Sequence, residues 1–168
     1  DIIIPSDYET SHTIYIATGD RDGWDNRSIG VLKSTDSGVT WNPTGLSFTI
    51  FQGRMTNRLL IDPLNSQVLI AATTQGGYRT MDGGATWNEQ LTPIEFIDME
   101  YQPGNFNRLY GSTKYGEIYY STVPGLWSNA YDDNNARRIE LAVSPQQPGW
   151  VYAVASADDN GLYGIFRS

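Results

Sequence analysis

Two carboxylates hold matching places in this chain of 168 residues. Asp98 lies five residues before Pro103 and Glu140 five before Pro145, each in a strand-like run. A pair of carboxylates is the equipment of glycoside hydrolysis, as nucleophile and acid about 5 Å apart or base and acid about 6.5–9.5 Å apart. Asp98 and Glu140 are therefore the candidate acid/base pair. The competing reading is a pair of strand-end charges facing solvent. Arg58 holds the same register before Pro63, where its charge would lower a neighbouring carboxyl's pKa. A second constellation is Asp20-Arg21-Asp22-Gly23-Trp24-Asp25-Asn26. Asp20, Asp22 and Asp25, with the Asn26 amide and backbone carbonyls, offer the oxygen ligands that Ca²⁺ takes, and Gly23 permits the bend. No distal bidentate Glu completes an EF-hand, and a loop whose Asp residues cap their own turn reads equally from this segment.

The bulk composition excludes more than it suggests. Net charge is −8, and the only lysines are Lys33 and Lys114, so no basic stripe exists for nucleic acid or an anionic membrane surface. The absence of cysteine removes disulfides, thiolate metal sites and thiol catalysis. His12 is the single histidine, which rules out a multi-His metal centre and disfavours a Ser-His-Asp triad. No run of 18 apolar residues is present, so no membrane span is expected. With no initiator Met and no signal peptide, the expectation is a trimmed or internal piece of a longer exported chain.

The elements that must carry these residues repeat. Ser34, Asp36, Gly38, Thr40 and Trp41 recur as Thr80, Asp82, Gly84, Thr86 and Trp87 in the same spacing. Each copy sits between two strand-like runs and reads as a hairpin turn. The carboxylate accepts backbone N–H groups, the glycine supplies a positive φ, and the tryptophan opens the next strand. A third copy, Ser121 to Trp127, keeps Gly125 and the tryptophan but has lost the Asp. Pro63, Pro103 and Pro145 fall 40 and 42 residues apart, each after a first strand. A period near 40 with four short strands per unit predicts an all-β chain, a β-propeller of four-stranded antiparallel blades. The units run over 1–43, 44–88, 89–128 and 129–168. The last lacks its outer strand, and the expectation is about four blades of a ring of six or more. A closed four-bladed ring is the alternative.

The repeated turn is similar to the Asp-box, or BNR repeat, of sialidase-type propellers. Ile14 to Asp20, Ser28 to Asp36 and Thr44 to Phe48 resemble Asp-box propellers of Bacteroidetes, secreted proteins that often end in a type IX sorting domain. The resemblance implies a secreted or cell-surface module that binds or scaffolds a glycan or protein ligand. Its partners would be the remaining blades or domains of its own chain and the type IX translocon. The implied ligand face gathers the loops around the central channel, and on it Trp24, Tyr115, Tyr131, Asp132, Asp133, Asp158 and Asp159 are the candidate ligand residues. Aromatic rings there would stack on sugars while carboxylates take hydroxyls. An acidic, loop-rich protein surface explains the same residues without a ligand. No cofactor is required, with Ca²⁺ the one possible addition. Sialidases carry an Arg-Ile-Pro segment that this chain lacks, so the alternative enzyme reading is a sialidase- or xyloglucanase-like glycoside hydrolase working through the carboxylate pair.

Overall fold

The structure is a computed structural model that describes residues 1–20 and 26–168. Among these residues are four antiparallel sheets, each following chain order. The first holds β1 (Ile2–Ile3), β2 (Ile14–Ala17), β3 (Gly30–Ser34) and β4 (Asn42–Ser47). The second holds β5 (Thr56–Asp62), β6 (Asn65–Thr73), β7 (Gly76–Thr80) and β8 (Asn88–Leu91). The third holds β9 (Phe96–Gln102), β10 (Asn105–Thr113), β11 (Glu117–Val123) and β12 (Leu126–Asp132). The fourth has three strands, β13 (Ile139–Val143), β14 (Val151–Ser156) and β15 (Leu162–Arg167). The outer strands β4, β8 and β12 carry their sheets a few residues past positions 43, 88 and 128, because the tryptophan of each unit opens the outer strand rather than closing it.

The apolar core lies between the sheets. Tyr15, Val31 and Leu46 of the first sheet pack on Leu59, Leu69 and Ala71 of the second. Leu60, Val68, Ile70 and Ala72 on the second sheet's other face meet Phe96, Met99 and Leu109 of the third. Ile139, Leu141, Val151 and Ala153 of the fourth sheet pack with Tyr110, Ile118 and Tyr131 of the third. This explains two different strand patterns. From Val68 to Thr73, β6 is buried residue after residue because both of its faces are covered. In β14, Val151, Ala153 and Ala155 are buried while Tyr152 and Val154 are exposed, since one face is covered. Truncating Leu69, which is fully buried, would cost about 2–5 kcal/mol.

Two short helices depart from the all-strand pattern: α1 (Tyr8–Ser11) and a 3-10 turn at Ile50–Gln52. Each has a local reason. The Asp7 carboxylate before α1 accepts the hydroxyls of Ser11 at 3.4 Å and Ser66 at 2.8 Å, tying the first sheet's inner turn to the second's. At the 3-10 turn the Gln52 side chain accepts the Thr49 N–H at 2.8 Å, half of a capping box.

Candidate functional site

The two repeated turns are closed by their own side chains. Asp36 Oδ1 accepts the Ser34 hydroxyl at 2.7 Å and the Thr40 N–H at 2.9 Å, while Oδ2 accepts the Thr40 hydroxyl at 2.5 Å. Asp82 repeats this with Thr80 at 2.8 Å, the Thr86 N–H at 2.9 Å and the Thr86 hydroxyl at 2.6 Å. These bonds, led by the threonine hydroxyl, pull each carboxyl down to about 2. Both carboxylates are spent inside the turn. Trp41 and Trp87 donate their indole N–H to the Gly38 and Gly84 carbonyls at 3.0 and 3.2 Å. The third unit replaces this device with a tight turn through Pro124 and Gly125, joining β11 directly to β12. Trp127 still packs on Phe96, with centroids 5.4 Å apart, but its buried indole N–H meets no acceptor.

The second turn also locks two sheets together. Tyr15 and Lys33 of the first sheet both donate to the Gly83 carbonyl at 3.1 Å, and the Gly45 N–H donates to Gly84 at 2.8 Å. Burial, with the charge of Asp7 adding to it, pushes the Tyr15 phenol up to about 12.

The inner strands carry a row of charge. Arg58 pairs with Ala72, Asp98 with Ser112 and Glu140 with Val154, so the three occupy one register in successive sheets. Asp1 stands at the same place in the first sheet, where the backbone N–H of Ala17 donates to its carbonyl. Asp98 is only 4% exposed. Its Oδ2 accepts the backbone N–H of Leu141, the residue after Glu140, at 2.8 Å, and its Oδ1 lies 3.6 Å from Arg58 Nε. Asp1 does likewise, accepting the N–H of Leu59, the residue after Arg58, at 2.9 Å. The carboxylate at this register therefore stitches one inner strand to the next. The expectation of a solvent-facing Asp98 is corrected by this burial. Arg58 reaches Glu100 at 2.6 Å, and Arg138 Nε reaches Glu140 at 2.8 Å. Burial raises the carboxyl pKa of Asp98, outweighing the Leu141 N–H and Arg58, and burial likewise raises Glu100.

The candidate ligand residues fall into separate groups. Asp133 Oδ2 accepts the hydroxyls of Tyr131 at 3.1 Å and Tyr163 at 2.6 Å, and its Oδ1 accepts the Asn135 N–H at 2.9 Å. Tyr131 and Asp133 are thus brought together, but as a clasp between the third and fourth sheets. Asp158 forms an ion pair with Arg137, and Asp159 Oδ1 caps its own turn through the Gly161 N–H at 2.8 Å. Asp132 is exposed opposite Glu117 at the end of β12. Tyr115 stands apart, 56% exposed, with Lys114 Nζ 5.1 Å above its ring and bonded to Glu95 at 2.7 Å. Tyr163, Glu100, Arg137 and Arg138 belong to these groups and lay outside the sequence candidates. The Arg138-x-Glu140 spacing, with Arg138 just before β13 and Glu140 in it, offered a signal for Arg138 alone. Trp24, Asp22 and Asp25 lie outside the described residues. Asp20 is described, and its N–H donates to the Asn26 carbonyl at 3.2 Å, joining the two ends of that loop. Among the described residues no three His, Cys, Asp or Glu side chains gather as a metal site requires. No helix among them is long and apolar enough to cross a membrane.

No protein-family model matches the chain. The GH74 enzyme of Niastella koreensis superposes on 95% of it with a TM-score of 0.66 at 19% identity. The fold is a β-propeller. The GH74 xyloglucanase of Xanthomonas campestris matches 99% of the chain with a TM-score of 0.64 at 18% identity. A YCF48 protein bound to a D1 peptide matches 79% with a TM-score of 0.57 at 19% identity. Each sheet is accordingly a propeller blade. Among curated proteins, a Paenibacillus xyloglucanase is 37% identical over 83 residues, covering 45% of this chain and 8% of its own length. A xyloglucanase of Hypocrea jecorina is 27% identical over 168 residues, covering 85% of this chain and 20% of its own length. The chain thus spans a fifth or less of these curated relatives.

Proposed function

We propose that these four blades are part of a propeller glycoside hydrolase acting on a β-glucan of the xyloglucan type. The observation that carries this reading is similarity to xyloglucanases, reaching across 85% of the chain in one of them. The charged inner row is compatible with it. Burial raises the pKa of Asp98, the property of a general acid, and Arg138 orients the half-exposed Glu140. The Oδ2 atom of Asp98 is engaged by Leu141, so a proton would pass through Oδ1. Reducing-sugar release from xyloglucan by the intact protein tests the assignment. Asp98→Asn and Glu140→Gln should each lower kcat by about 100-fold or more. Undiminished release in both variants would remove the pair.

One observation favours a second reading, that of a binding module: Asp98 is bonded as a blade-joining residue. In that case the open loop face, with Tyr115 as its exposed ring, retains a glycan or a protein without cleaving it. Retention on xyloglucan with no sugar release separates the two. Under both readings the repeated turns are Asp-boxes and the protein is exported to the cell surface or medium, by a type IX route where a sorting domain is present. A wholly cytosolic pool of the native protein would refute export. Calcium at Asp20, Asp22 and Asp25 is proposed from sequence alone, and calorimetric titration without heat would dismiss it.

A further inference from the structure

Arg79 is a cation that the fold leaves short of a partner. Arg58, Lys114, Arg137 and Arg138 each pair with a carboxylate. Arg79 instead donates from Nε to the Met81 sulfur at 3.3 Å and from Nη2 to the Asn107 side-chain oxygen at 3.0 Å, both neutral acceptors. Its Nη1 is buried and meets no acceptor. The charge of Asp62 reaches it only from beyond ion-pair distance, and Asp62 Oδ1 is engaged by the Leu64 N–H at 2.9 Å. A buried guanidinium nitrogen with nothing to donate to carries a cost that a negative partner would remove.

The neighbouring blade boundary holds a direct comparison. Lys33 pairs with Tyr15 and Asn42 as Arg79 pairs with Ile70 and Asn88, so the two cations occupy one place in successive blades. Lys33 donates to the Gly83 carbonyl in the turn of the next blade. The turn facing Arg79 is the tight one through Pro124 and Gly125, and Arg79 reaches none of its carbonyls. The Val123 carbonyl there accepts the Ser121 hydroxyl at 2.7 Å. Between the two lies a cavity of 290 Å³ walled by Arg79, Met81, Asn88, Gln90 and Pro124. Gln90 adds a second unmet group, since its Oε1 is buried and accepts no donor. Drug-sized ligands take about 300–1,000 Å³, so this cavity suits one small group such as a single sugar ring.

We propose that this cavity binds the carboxylate of a uronic-acid sugar. The Nη1 hydrogens of Arg79 take the carboxylate in the planar fork geometry that arginine offers and lysine does not. A ring hydroxyl donates to Gln90 Oε1. A neutral sugar lacks the first contact, and a small anion such as acetate lacks the second. Arg79 stands on β7, with Asn88 and Gln90 on β8, the outer strands of the second blade. The site shares no residue with the row of Arg58, Asp98 and Glu140, so it is independent of whether that row cleaves a glycan.

The test titrates the intact protein with methyl β-glucuronide, methyl β-glucoside and acetate, followed by amide chemical shifts. The first two probes differ only in the carboxylate. The glucuronide should bind at least about tenfold more tightly than either of the others, and should move the amides of Arg79, Gln90 and Leu126. Arg79→Ala should weaken it by about tenfold or more, and Arg79→Lys should recover only part of that loss. Gln90→Leu deletes an unpaired buried acceptor and so leaves folding intact, yet should bring the glucuronide down to the level of acetate. Glucoside binding as tight as glucuronide binding would overturn the proposal, because the carboxylate would then count for nothing. Acetate binding as tight as the glucuronide in the wild type would overturn it by assigning the cavity to a small anion. So would amide shifts confined to other blades, or glucuronide affinity unchanged in Arg79→Lys and Gln90→Leu.

Discussion

The carboxylate of Asp98 in β9 accepts the backbone N–H of Leu141 in β13 at 2.8 Å, across a blade boundary. Removing it leaves a buried N–H unpaired and Arg58 facing Glu100 alone. Asp98→Ala should lower unfolding free energy by about 2–4 kcal/mol in denaturant titration. Loss below about 0.5 kcal/mol would show that the blades dock without this stitch.

Titration gives Asp98 a second, independent readout. Its folded pKa is raised above the ordinary value of 3.8 by burial, so the folded state holds the proton more tightly than the unfolded state. The stability linked to that proton is fully present below 3.8 and is lost as pH rises through the raised value. Asp98→Asn cannot lose it. Melting curves from about pH 3 to about pH 8 should therefore show the Asn variant gaining on the wild type as pH rises. A constant gap would contradict the burial.

The two repeated turns carry the opposite sign. Asp36 and Asp82 are depressed to about 2 by the hydroxyls of Thr40 and Thr86 foremost. Their contribution is present above 3.8 and disappears as pH falls toward about 2. Acid titration of the Asp36→Asn, Asp82→Asn double variant should show a shallower loss of Tm over that window than wild type. Parallel curves would mean that the turns do not depend on charge.

Gly45 offers a packing test. A Cβ there would run into the Ala85 carbonyl oxygen and push the first blade off the second blade's turn, breaking the 2.8 Å bond to Gly84. Gly45→Ala should cost about 1–3 kcal/mol. At Gly149 a Cβ meets nothing, and Gly149→Ala should stay within about 0.5 kcal/mol. Equal effects at the two sites would deny the close approach.

The parts of this molecule that sequence discloses are those whose causes are local. Ser34 to Trp41 and Thr80 to Trp87 contain every partner their turns use, so spacing alone reveals them. Pro63 and Pro103 directly follow β5 and β9, and periodicity then places the blades. The charged row is half legible: register puts Arg58, Asp98 and Glu140 in line, but not that Asp98 turns inward. That bond joins residues 43 apart, and the clasp of Asp133 with Tyr163 joins residues 30 apart. Loop residues chosen for being acidic or aromatic found partners that no local pattern names, as Asp158 did in Arg137.

Trp87 and Trp127 make a matched pair for the last prediction. Both pack between blades, yet Trp87 donates its indole N–H to Gly84 at 3.2 Å while the Trp127 N–H is buried without an acceptor. Substitution by phenylalanine removes similar area at both positions but a made hydrogen bond at only one. A made bond contributes about 1 kcal/mol, whereas an orphaned donor costs about 1–3 kcal/mol to bury, so deleting it returns energy. Trp87→Phe should therefore destabilise by about 2–4 kcal/mol more than Trp127→Phe in the same denaturant series. If Trp127→Phe is the more damaging change, the third unit makes up for its missing carboxylate with packing on Phe96 strong enough to outweigh the orphaned donor.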